Sequence, residues 1–345
     1  MQRKKSKIYN LLKIEKGPSI ISELGINHFG DLKLAKQMVD QIFLSGGNIV
    51  KNQSHDLASE MSKEAKKVKP SNAKTSIFNV IKNNMMSFKD EVKLKQYVEK
   101  KNMLYISTPF SKEAALRLSK INVKIFKIGS GEFNNFPLLY EITKLKKPMI
   151  LSTGMNSIPS IKRTVKFLRK NKADFALLHC ISDYPVLNKD LQLENIVKLR
   201  KLFPDIIIGY SDHSKSISPA ILSMTYGASI IEKHFTISHK LKGPDIICSM
   251  DGNDLKEIIT ASKILNSKKL KIRKVTKNEK IVAKFAFASV VSIKNIKKGE
   301  ILSKTNLWVK RPGTGYFKSS DYFKLLGKKS KRNIKKDTQL KKKDV

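Results

Sequence analysis

The sequence predicts an α/β fold, namely a (β/α)₈ TIM barrel followed by a small β-rich domain. Three observations support this prediction. Short apolar runs alternate with longer segments of helical spacing, the alternation fills roughly the first 270 of 345 residues, and nearly every run ends in polar residues. Because a TIM barrel takes about 250 residues, the chain is long enough for a full barrel and a small second domain.

Eight runs of mostly apolar, often β-branched residues predict the strands. Continuous apolar runs are typical of parallel strands that are buried on both faces. The predicted strands are Ser19–Leu24, Asn48–Lys51, Met103–Ser107, Lys124–Ile128, Pro148–Ser152, Phe175–His179, Ile206–Tyr210 and Ser229–His234.

Helices are predicted between the strands, where apolar residues recur at helical spacing. Leu32–Leu44 has this spacing and is followed by Gly46 and Gly47, which favour a helix end. The other predicted helices are Ser157–Leu168, Leu191–Phe203, Ser216–Tyr226 and Asp254–Leu265. The polar stretch Asp56–Phe88 predicts an extended loop with a short helix.

The pattern changes after the last predicted helix. Asn266–Lys280 is rich in lysine and has almost no apolar pattern, so we predict a linker at residues 271–283. The linker would separate a barrel domain, residues 1–270, from a β-rich domain, residues 284–345. Short alternating runs at Ala288–Ile293 and Leu307–Val309 predict strands in the second domain.

The net charge is unusual, because 69 Lys and Arg residues against 29 Asp and Glu residues give a formal charge of +40. Nucleic acid, an anionic small substrate, and a compositional bias without function are three interpretations. The basic residues run along the whole chain, and aromatic residues, 8% of the sequence, do not cluster with them as in single-strand binding sites. We therefore predict no nucleic-acid partner and favour the compositional bias.

The sequence also indicates the subcellular localisation of the protein. No apolar run of about 18 residues is present, so no membrane-spanning helix is predicted. The N-terminus lacks the apolar run of a signal peptide, so we expect a cytoplasmic protein without a membrane partner. The two cysteines, Cys180 and Cys248, show no pairing pattern, which disfavours structural disulfides and a cysteine metal site.

Polar or glycine-rich residues follow nearly every predicted strand. In a TIM barrel the carboxyl ends of the strands form one rim, and the active site lies there. Groups that could bind an anion at this rim are Lys51, Lys127, Ser130, Ser152 and Ser211. The glycines on both sides of Ser130 would let backbone N–H groups approach a ligand. Together they predict a site for a phosphate and a carboxylate.

His213 and His234 end two predicted strands that are neighbours in the barrel. Imidazole suits a divalent ion, and Glu23 and Glu232 lie on the same rim, so a metal site is one interpretation. The other is that each histidine is an ordinary core or surface residue, and the residues alone leave both open. Weaker histidine candidates are His28, His55 and His179, and His239 is expected in a loop.

An ordered set of motifs spans the chain. The motifs are ISELGINHFGD (Ile21–Asp31), STPF (Ser107–Phe110), KIGSGE (Lys127–Glu132), ILSTGM (Ile150–Met155), GYSDH (Gly209–His213), EKHF (Glu232–Phe235) and GPD (Gly243–Asp245). They resemble the sialic acid synthase (NeuB-like) family, whose enzymes condense phosphoenolpyruvate with an N-acetylated amino sugar. The tail Phe285–Gly313 resembles the SAF (antifreeze-like, β-clip) domain that follows the barrel in that family.

Within this family, VKNQSH (Val50–His55), MSKEAKKVKP (Met61–Pro70) and FAFASVV (Phe285–Val291) look similar to bacterial N-acetylneuraminate synthases. Those enzymes use phosphoenolpyruvate, N-acetylmannosamine and water to make N-acetylneuraminate and phosphate. Legionaminic and pseudaminic acid synthases, which apply the same chemistry to other amino sugars, are the alternative. Ser182 stands where the first branch has asparagine, and Asn52 stands at a variable position, so both concern the choice of sugar.

The resemblance implies roles for particular residues. His213 and His234 would hold a divalent ion, typically Mn²⁺ with Mg²⁺ or Co²⁺ as alternatives, and Glu23 and Lys51 would join them in catalysis. The phosphoenolpyruvate site would comprise Lys51, Thr108, Lys127, Ser130, Ser152 and Ser211. The amino-sugar site would comprise Gln53, Tyr184, Glu232, Asp245 and Arg311, with Arg311 supplied by the partner subunit of a domain-swapped homodimer. A catalytically inactive scaffold would be expected to lack several of these side chains.

Overall fold

The structure, a computed structural model, describes residues 6–70, 73–267 and 274–345. The chain forms two compact units, Met1–Lys269 and Leu270–Val345. The domain assignment made from the sequence stays a prediction, and residues 271–273 of the predicted linker lie outside the described residues.

The first unit is built around a closed barrel of parallel strands in the order β1 to β8, which confirms the predicted fold class. The strands are β1 (Ser19–Glu23), β2 (Ile49–Ser54), β3 (Leu104–Pro109), β4 (Phe126–Ile128), β5 (Met149–Ser152), β6 (Phe175–Cys180), β7 (Ile207–Asp212) and β8 (Ile230–His234). Several strands extend further toward the rim than predicted. In β2, for example, the polar Asn52, Gln53 and Ser54 still pair with β3, because backbone pairing does not require apolar side chains.

Helices surround the barrel. They are α1 (Lys7–Leu11), α2 (Leu32–Leu44), α3 (Leu57–Glu60), α4 (Ile77–Asn84), α5 (Phe88–Lys100), α6 (Lys112–Lys120), α7 (Phe136–Lys144), α8 (Ile158–Lys170), α9 (Glu194–Leu202), α10 (Ser218–Thr225) and α11 (Gly252–Ser267). The predicted helices correspond to α2, α8, α9, α10 and α11. Across the part of the chain that the structure describes, no helix has both the length and the apolarity that crossing a membrane requires.

The sequence analysis missed α5, α6 and α7, and α5 shows why. It is dominated by charged residues, yet it buries Leu94 and Val98 on one face. Its start is fixed by Ser87, whose side chain accepts a hydrogen bond from the backbone N–H of Asp90, as N-cap serines do. Because few apolar residues form this face, the apolar spacing that predicts a helix is weak in this segment.

The segment Asp56–Phe88, predicted as a loop with a short helix, contains both α3 and α4. Helix α4 begins at the N-cap Ser76 and buries Val80 and Ile81. These two side chains pack with Ile26, from the loop after β1. The segment is therefore more ordered than its polar composition suggests.

Helix α1 closes the amino-terminal end of the barrel. Its Ile8 and the following Leu12 pack against a layer of barrel side chains, and Ile8 is fully buried. The layer consists of Ile21, Ile49, Ile106, Ile125, Ile150, Ala176, Leu178, Ile207 and Ile230. The hydroxyl of Ser6 fixes the helix start by donating to Asp174 at 2.7 Å.

The second unit contains an antiparallel pair, β9 (Ser289–Ser292) and β10 (Leu307–Lys310), as the sequence predicts, with the helices α12 (Lys277–Ala286) and α13 (Tyr322–Leu325). Its core is formed by Val290, Ile296, Leu302, Leu307, Tyr322, Leu325, Ile334 and Leu340. Helix α12 occupies residues 277–283 of the predicted linker. It starts at a capping box between Thr276 and Glu279, a pattern that the sequence analysis overlooked.

Truncation of the α1 contact should destabilise the barrel. Ile8→Ala removes a fully buried side chain and should lower the free energy of unfolding by about 2–5 kcal/mol, measured by urea denaturation. Leu11→Ala is the matched control, since Leu11 in the same helix is 38% exposed. Equal effects of the two substitutions would show that α1 does not close the barrel in solution.

Candidate active site

A cavity of about 690 Å³ opens at the carboxyl ends of the strands, where the sequence predicts the active site. It is lined by every predicted site residue of the first unit: Glu23, Lys51, Gln53, Thr108, Lys127, Ser130, Ser152, Tyr184, Ser211, His213, Glu232, His234 and Asp245. Arg311 lies in the second unit, directly after β10, and is exposed. The structure thus brings thirteen of these side chains together, while their roles stay predictions.

Lys51 is a buried ammonium group from β2. Its Nζ lies 2.7 Å from Oε2 of Glu23 and donates to Oγ1 of Thr108 at 3.0 Å. Burial alone would lower the pKa of Lys51, but the nearby carboxylates of Glu23 and Glu232 outweigh it and raise the pKa. Lys51 therefore remains a cation at neutral pH.

Lys127 is the second buried ammonium group, from β4. Its Nζ donates to Oγ of Ser152 at 2.7 Å and lies 3.5 Å from Oε1 of Glu232. Burial lowers the pKa of Lys127, Glu232 opposes this effect, and the charge of Lys51 adds to it. A bound anion would stabilise the ammonium form, so the geometry suits an anionic ligand.

Glu232, from β8, lies between the two lysines. Its Oε1 accepts a hydrogen bond from Oγ of Ser211 at 3.2 Å, and its Oε2 has no hydrogen-bond partner among the described residues. Burial would raise the pKa of Glu232, but Lys127 and Lys51 lower it. One oxygen thus neutralises the lysines and the other is available to a ligand.

Gly154 lies beside Ser130 and Ser182, which line the cavity, and the sequence analysis missed its role. A Cβ atom at this position would lie 2.3 Å from Oγ of Ser182 and 2.7 Å from Oγ of Ser130. Because it has no side chain, the backbone N–H of Gly154 approaches and donates to Ser130 at 3.1 Å.

His213 and His234 fit a divalent ion. Their ring centroids lie 5.7 Å apart, and Nδ1 of His213 donates to the carbonyl of Ile181 at 2.9 Å, which leaves its Nε2 available to a metal ion. Burial lowers the pKa of His234 to about 4, so this ring is neutral near pH 7. Nδ1 of His234 has no hydrogen-bond partner among the residues described.

Two residues predicted to bind the sugar border the imidazoles. Tyr184 stacks on His213 with a centroid distance of 4.1 Å, and Oδ2 of Asp245 lies 3.7 Å from Nδ1 of His234. Gly25 has a positive φ of 54°, and a Cβ there would lie 2.9 Å from Nδ1 of His234. Glycine is therefore required beside this ring, which the sequence analysis did not anticipate.

A separate group of possible metal ligands lies elsewhere. Three residues, His239, Asp251 and Asp254, each offer one ligand atom, and these atoms lie within 4.8 Å of one another. His239 is exposed in a turn, as predicted for a loop residue. Asp251 accepts hydrogen bonds from the backbone N–H groups of Asn253 and Asp254, so helix capping at α11 accounts for its position.

The segment between β2 and α5 supplies a wall that sequence reasoning missed. Met61, Ile77, Val80 and Ile81 line the cavity, as does His55. The helical spacing of the isoleucines and valine within a polar stretch was the available signal. This wall adds apolar side chains to a cavity that also holds charged groups.

Asp212 and Lys233 join β7 and β8 outside the cavity. Their side chains are fully buried and 2.8 Å apart, and the two residues are paired in register. Lys233 also donates to the carbonyl of Ser214 at 2.7 Å. Since side chains alternate along a strand, this pair fixes the strand ends from which His213 and His234 face the cavity.

The chain is similar to known proteins over both of its units. Residues 38–273 match the NeuB family, and residues 287–345 match the SAF domain. An N,N'-diacetyllegionaminic acid synthase from Campylobacter jejuni is 37% identical over 92% of this chain and 97% of its own length. The N-acetylneuraminate-9-phosphate synthase of Homo sapiens is 31% identical over 92% of this chain and 90% of its own.

The fold has a solved relative. The crystal structure of an N-acetylneuraminic acid (sialic acid) synthetase from Leptospira borgpetersenii, in complex with citrate, is 33% identical to this chain. The alignment covers 78% of this chain and 91% of that chain, with a TM-score of 0.70. The resemblance inferred from the motifs is thereby confirmed.

Removing one partner of the buried pair should be costly. Lys233→Met leaves the Asp212 carboxylate buried without its cation and should lower the free energy of unfolding by about 3–5 kcal/mol. Lys93→Met, which removes an exposed pair with Asp90, should change it by at most about 1 kcal/mol. Urea denaturation measures both variants. A small loss for Lys233→Met would mean that the pair does not hold β7 and β8 together.

Proposed function

The chain belongs to the NeuB family of sialic-acid-type synthases, and we propose that it condenses phosphoenolpyruvate with the open-chain form of an acetamido sugar. The observation that carries this proposal is one cavity with two buried lysines and two facing imidazoles at the barrel rim. The lysines suit an anionic enol phosphate, and the imidazoles suit a divalent ion that binds an aldehyde.

Phosphoenolpyruvate would bind around the lysines. Lys51 and Lys127 offer ammonium groups to its phosphate and carboxylate, and charge-assisted hydrogen bonds of this kind are strong. The hydroxyl groups that would complete the site are those of Thr108, Ser130, Ser152 and Ser211. An anion beside Lys127 would offset the burial that lowers the pKa of this lysine.

The amino sugar would bind on the imidazole side. When a divalent ion, Mn²⁺ by resemblance, is held by His213 and His234, it supplies Lewis-acid polarisation of the sugar aldehyde. Tyr184 and Asp245, which border the imidazoles, would hold sugar hydroxyl groups, as would Glu232 and Gln53 by resemblance. Their position at the rim would orient the aldehyde carbon toward the enol.

The reaction would then proceed in three steps. The enol carbon of phosphoenolpyruvate attacks the aldehyde carbon, and the aldehyde oxygen takes up a proton. Water captures the resulting oxocarbenium, and phosphate leaves by C–O cleavage to give a 2-keto acid. We assign the proton transfer to Glu23, whose Oε2 contacts Lys51 at 2.7 Å and whose Oε1 has no hydrogen-bond partner within the described ranges.

N-acetylmannosamine is the sugar that the motifs favour, and the product would be N-acetylneuraminate. A 2,4-diacetamido-2,4,6-trideoxy sugar is the second candidate. It is favoured by the apolar wall of Met61, Ile77, Val80 and Ile81, which suits methyl groups better than hydroxyls, and by the 37% identity to a diacetyllegionaminic acid synthase.

A direct assay tests the reaction and the sugar. With phosphoenolpyruvate and Mn²⁺, the protein should release phosphate and form a 2-keto acid with one of the two sugars. EDTA should abolish turnover, and His213→Ala should lower kcat by at least about 10²-fold and weaken Mn²⁺ binding measured by EPR. Turnover of neither sugar by the wild-type protein would refute the proposed function.

The working enzyme is proposed to be a cytoplasmic homodimer with exchanged tail domains. The second unit exposes several large apolar side chains, namely Ile281, Phe285, Phe287, Trp308 and Phe323. A partner subunit would cover such a surface. Arg311, exposed after β10, would then reach the sugar site of the partner.

Mixing two inactive variants tests the exchange. Arg311→Ala removes the arginine contributed to the other barrel, and His213→Ala disables its own barrel. Heterodimers of the two should regain activity, because one site then combines an intact barrel with an intact Arg311. Light scattering should give twice the chain mass of 39.1 kDa. No recovery in a dimeric mixture would mean that Arg311 serves its own barrel or none.

A further inference from the structure

His55 is a buried side chain of the cavity to which neither the motifs nor the proposed chemistry gives a role. It is 6% exposed, and its ring stacks on Phe110 with a centroid distance of 4.5 Å and an angle of 9°. Nδ1 lies 2.9 Å and 3.1 Å from the two carboxylate oxygens of Glu60. Nε2 lies 3.2 Å from Oε1 of Gln53.

Both ring nitrogens face oxygen atoms that accept hydrogen bonds. A carboxylate accepts hydrogen bonds and cannot donate, so Nδ1 carries a proton toward Glu60. The amide oxygen of Gln53 also only accepts, so its contact with Nε2 is a hydrogen bond only when Nε2 carries a second proton. The contacts therefore suit the imidazolium form of His55, for which Glu60, whose side chain is 8% exposed, would be the counter-ion.

The surroundings of the ring contain other charged groups. Glu91, on α5, and His28, in the loop after β1, interact with His55 electrostatically. Arg117, on α6, donates to the backbone carbonyl of His55 at 3.2 Å. Of these groups, Glu60 is the one in direct contact with the ring nitrogens, so it has the largest influence on the charge of the ring.

The charge of His55 affects the orientation of the Gln53 side-chain amide, which lines the cavity. An amide has one accepting end and one donating end. With Oε1 held by the imidazolium, the NH₂ end is the one left for a ligand. A neutral imidazole would accept at Nε2 and attract the NH₂ end instead, so the amide oxygen would then face the ligand.

We propose that His55 and Glu60 form a charged pair that orients Gln53 as a hydrogen-bond donor to an oxygen atom of the amino sugar. His55 and Glu60 are thus positioning residues for sugar recognition. The recognised group is an acceptor oxygen, either an acetamido carbonyl or a hydroxyl. This inference rests on the proposed function only in that Gln53 contacts the sugar.

Glu60→Gln tests the pair kinetically. The variant keeps an acceptor for Nδ1 but removes the counter-ion, so the ring should lose its proton and Gln53 should turn. The KM for the sugar should rise about tenfold, while kcat and the KM for phosphoenolpyruvate stay within about twofold. Glu64→Gln is the matched control, because Glu64 is an exposed carboxylate of the same segment whose hydrogen bond is to Ser62.

The double variant His55→Phe/Glu60→Leu replaces the pair with apolar side chains and retains a ring beside Phe110. It should raise the KM for the sugar to a similar extent, with a thermal unfolding midpoint near that of the wild type. If Glu60→Gln or the double variant shifted the KM of both substrates equally, or of neither, the positioning role would be wrong.

Long-range ¹H–¹⁵N correlation spectra of histidine-labelled protein test the protonation state without any turnover. At neutral pH the wild type and Glu64→Gln should show both His55 nitrogens protonated, and Glu60→Gln should show a neutral ring. A neutral His55 in the wild type would overturn the inference. Absence of turnover with any sugar would refute the proposed function instead, and the spectra would still decide the state of the pair.

Discussion

A lysine side chain that is buried at the end of a barrel strand must meet an anion or lose its proton. The candidate site is organised around this constraint. Lys51 meets Glu23, and Lys127 lies 3.5 Å from Glu232. On the outer face of the barrel, Lys233 meets Asp212. The same physical requirement therefore arranges the cavity and fixes the strands that support it.

Side chains alternate between the two faces of a strand, so a few residues can both line the cavity and hold neighbouring strands together. In β8, Glu232 and His234 line the cavity, while Lys233 between them points to the outer face and pairs with β7. The first and third of these residues thus face the cavity, and the second holds the strand to its neighbour. A shift of register by one residue would exchange these functions.

The barrel strands could be predicted from the sequence, because each is a short apolar run. The rim could also be predicted, because polar residues follow nearly every run. Helix α5 could not be predicted in this way, because its buried apolar residues, Leu94 and Val98, are surrounded in the sequence by charged residues. The ordered motifs contained most of the polar residues that line the cavity, but not its apolar wall of Met61, Ile77, Val80 and Ile81. The interaction of His55 with Glu60 and the space that Gly154 leaves for Ser130 depend on three-dimensional proximity, which no pattern in one segment reveals.

Helix α1 packs Ile8 and Leu12 against the layer of barrel side chains at the amino-terminal ends of the strands, and the cavity lies at their carboxyl ends. Two substrates that share one mouth cannot enter independently when they occupy different depths, because the shallower one blocks the path of the deeper one. For the two proposed substrates, binding at different depths would therefore impose a compulsory order of addition and the reverse order of product departure.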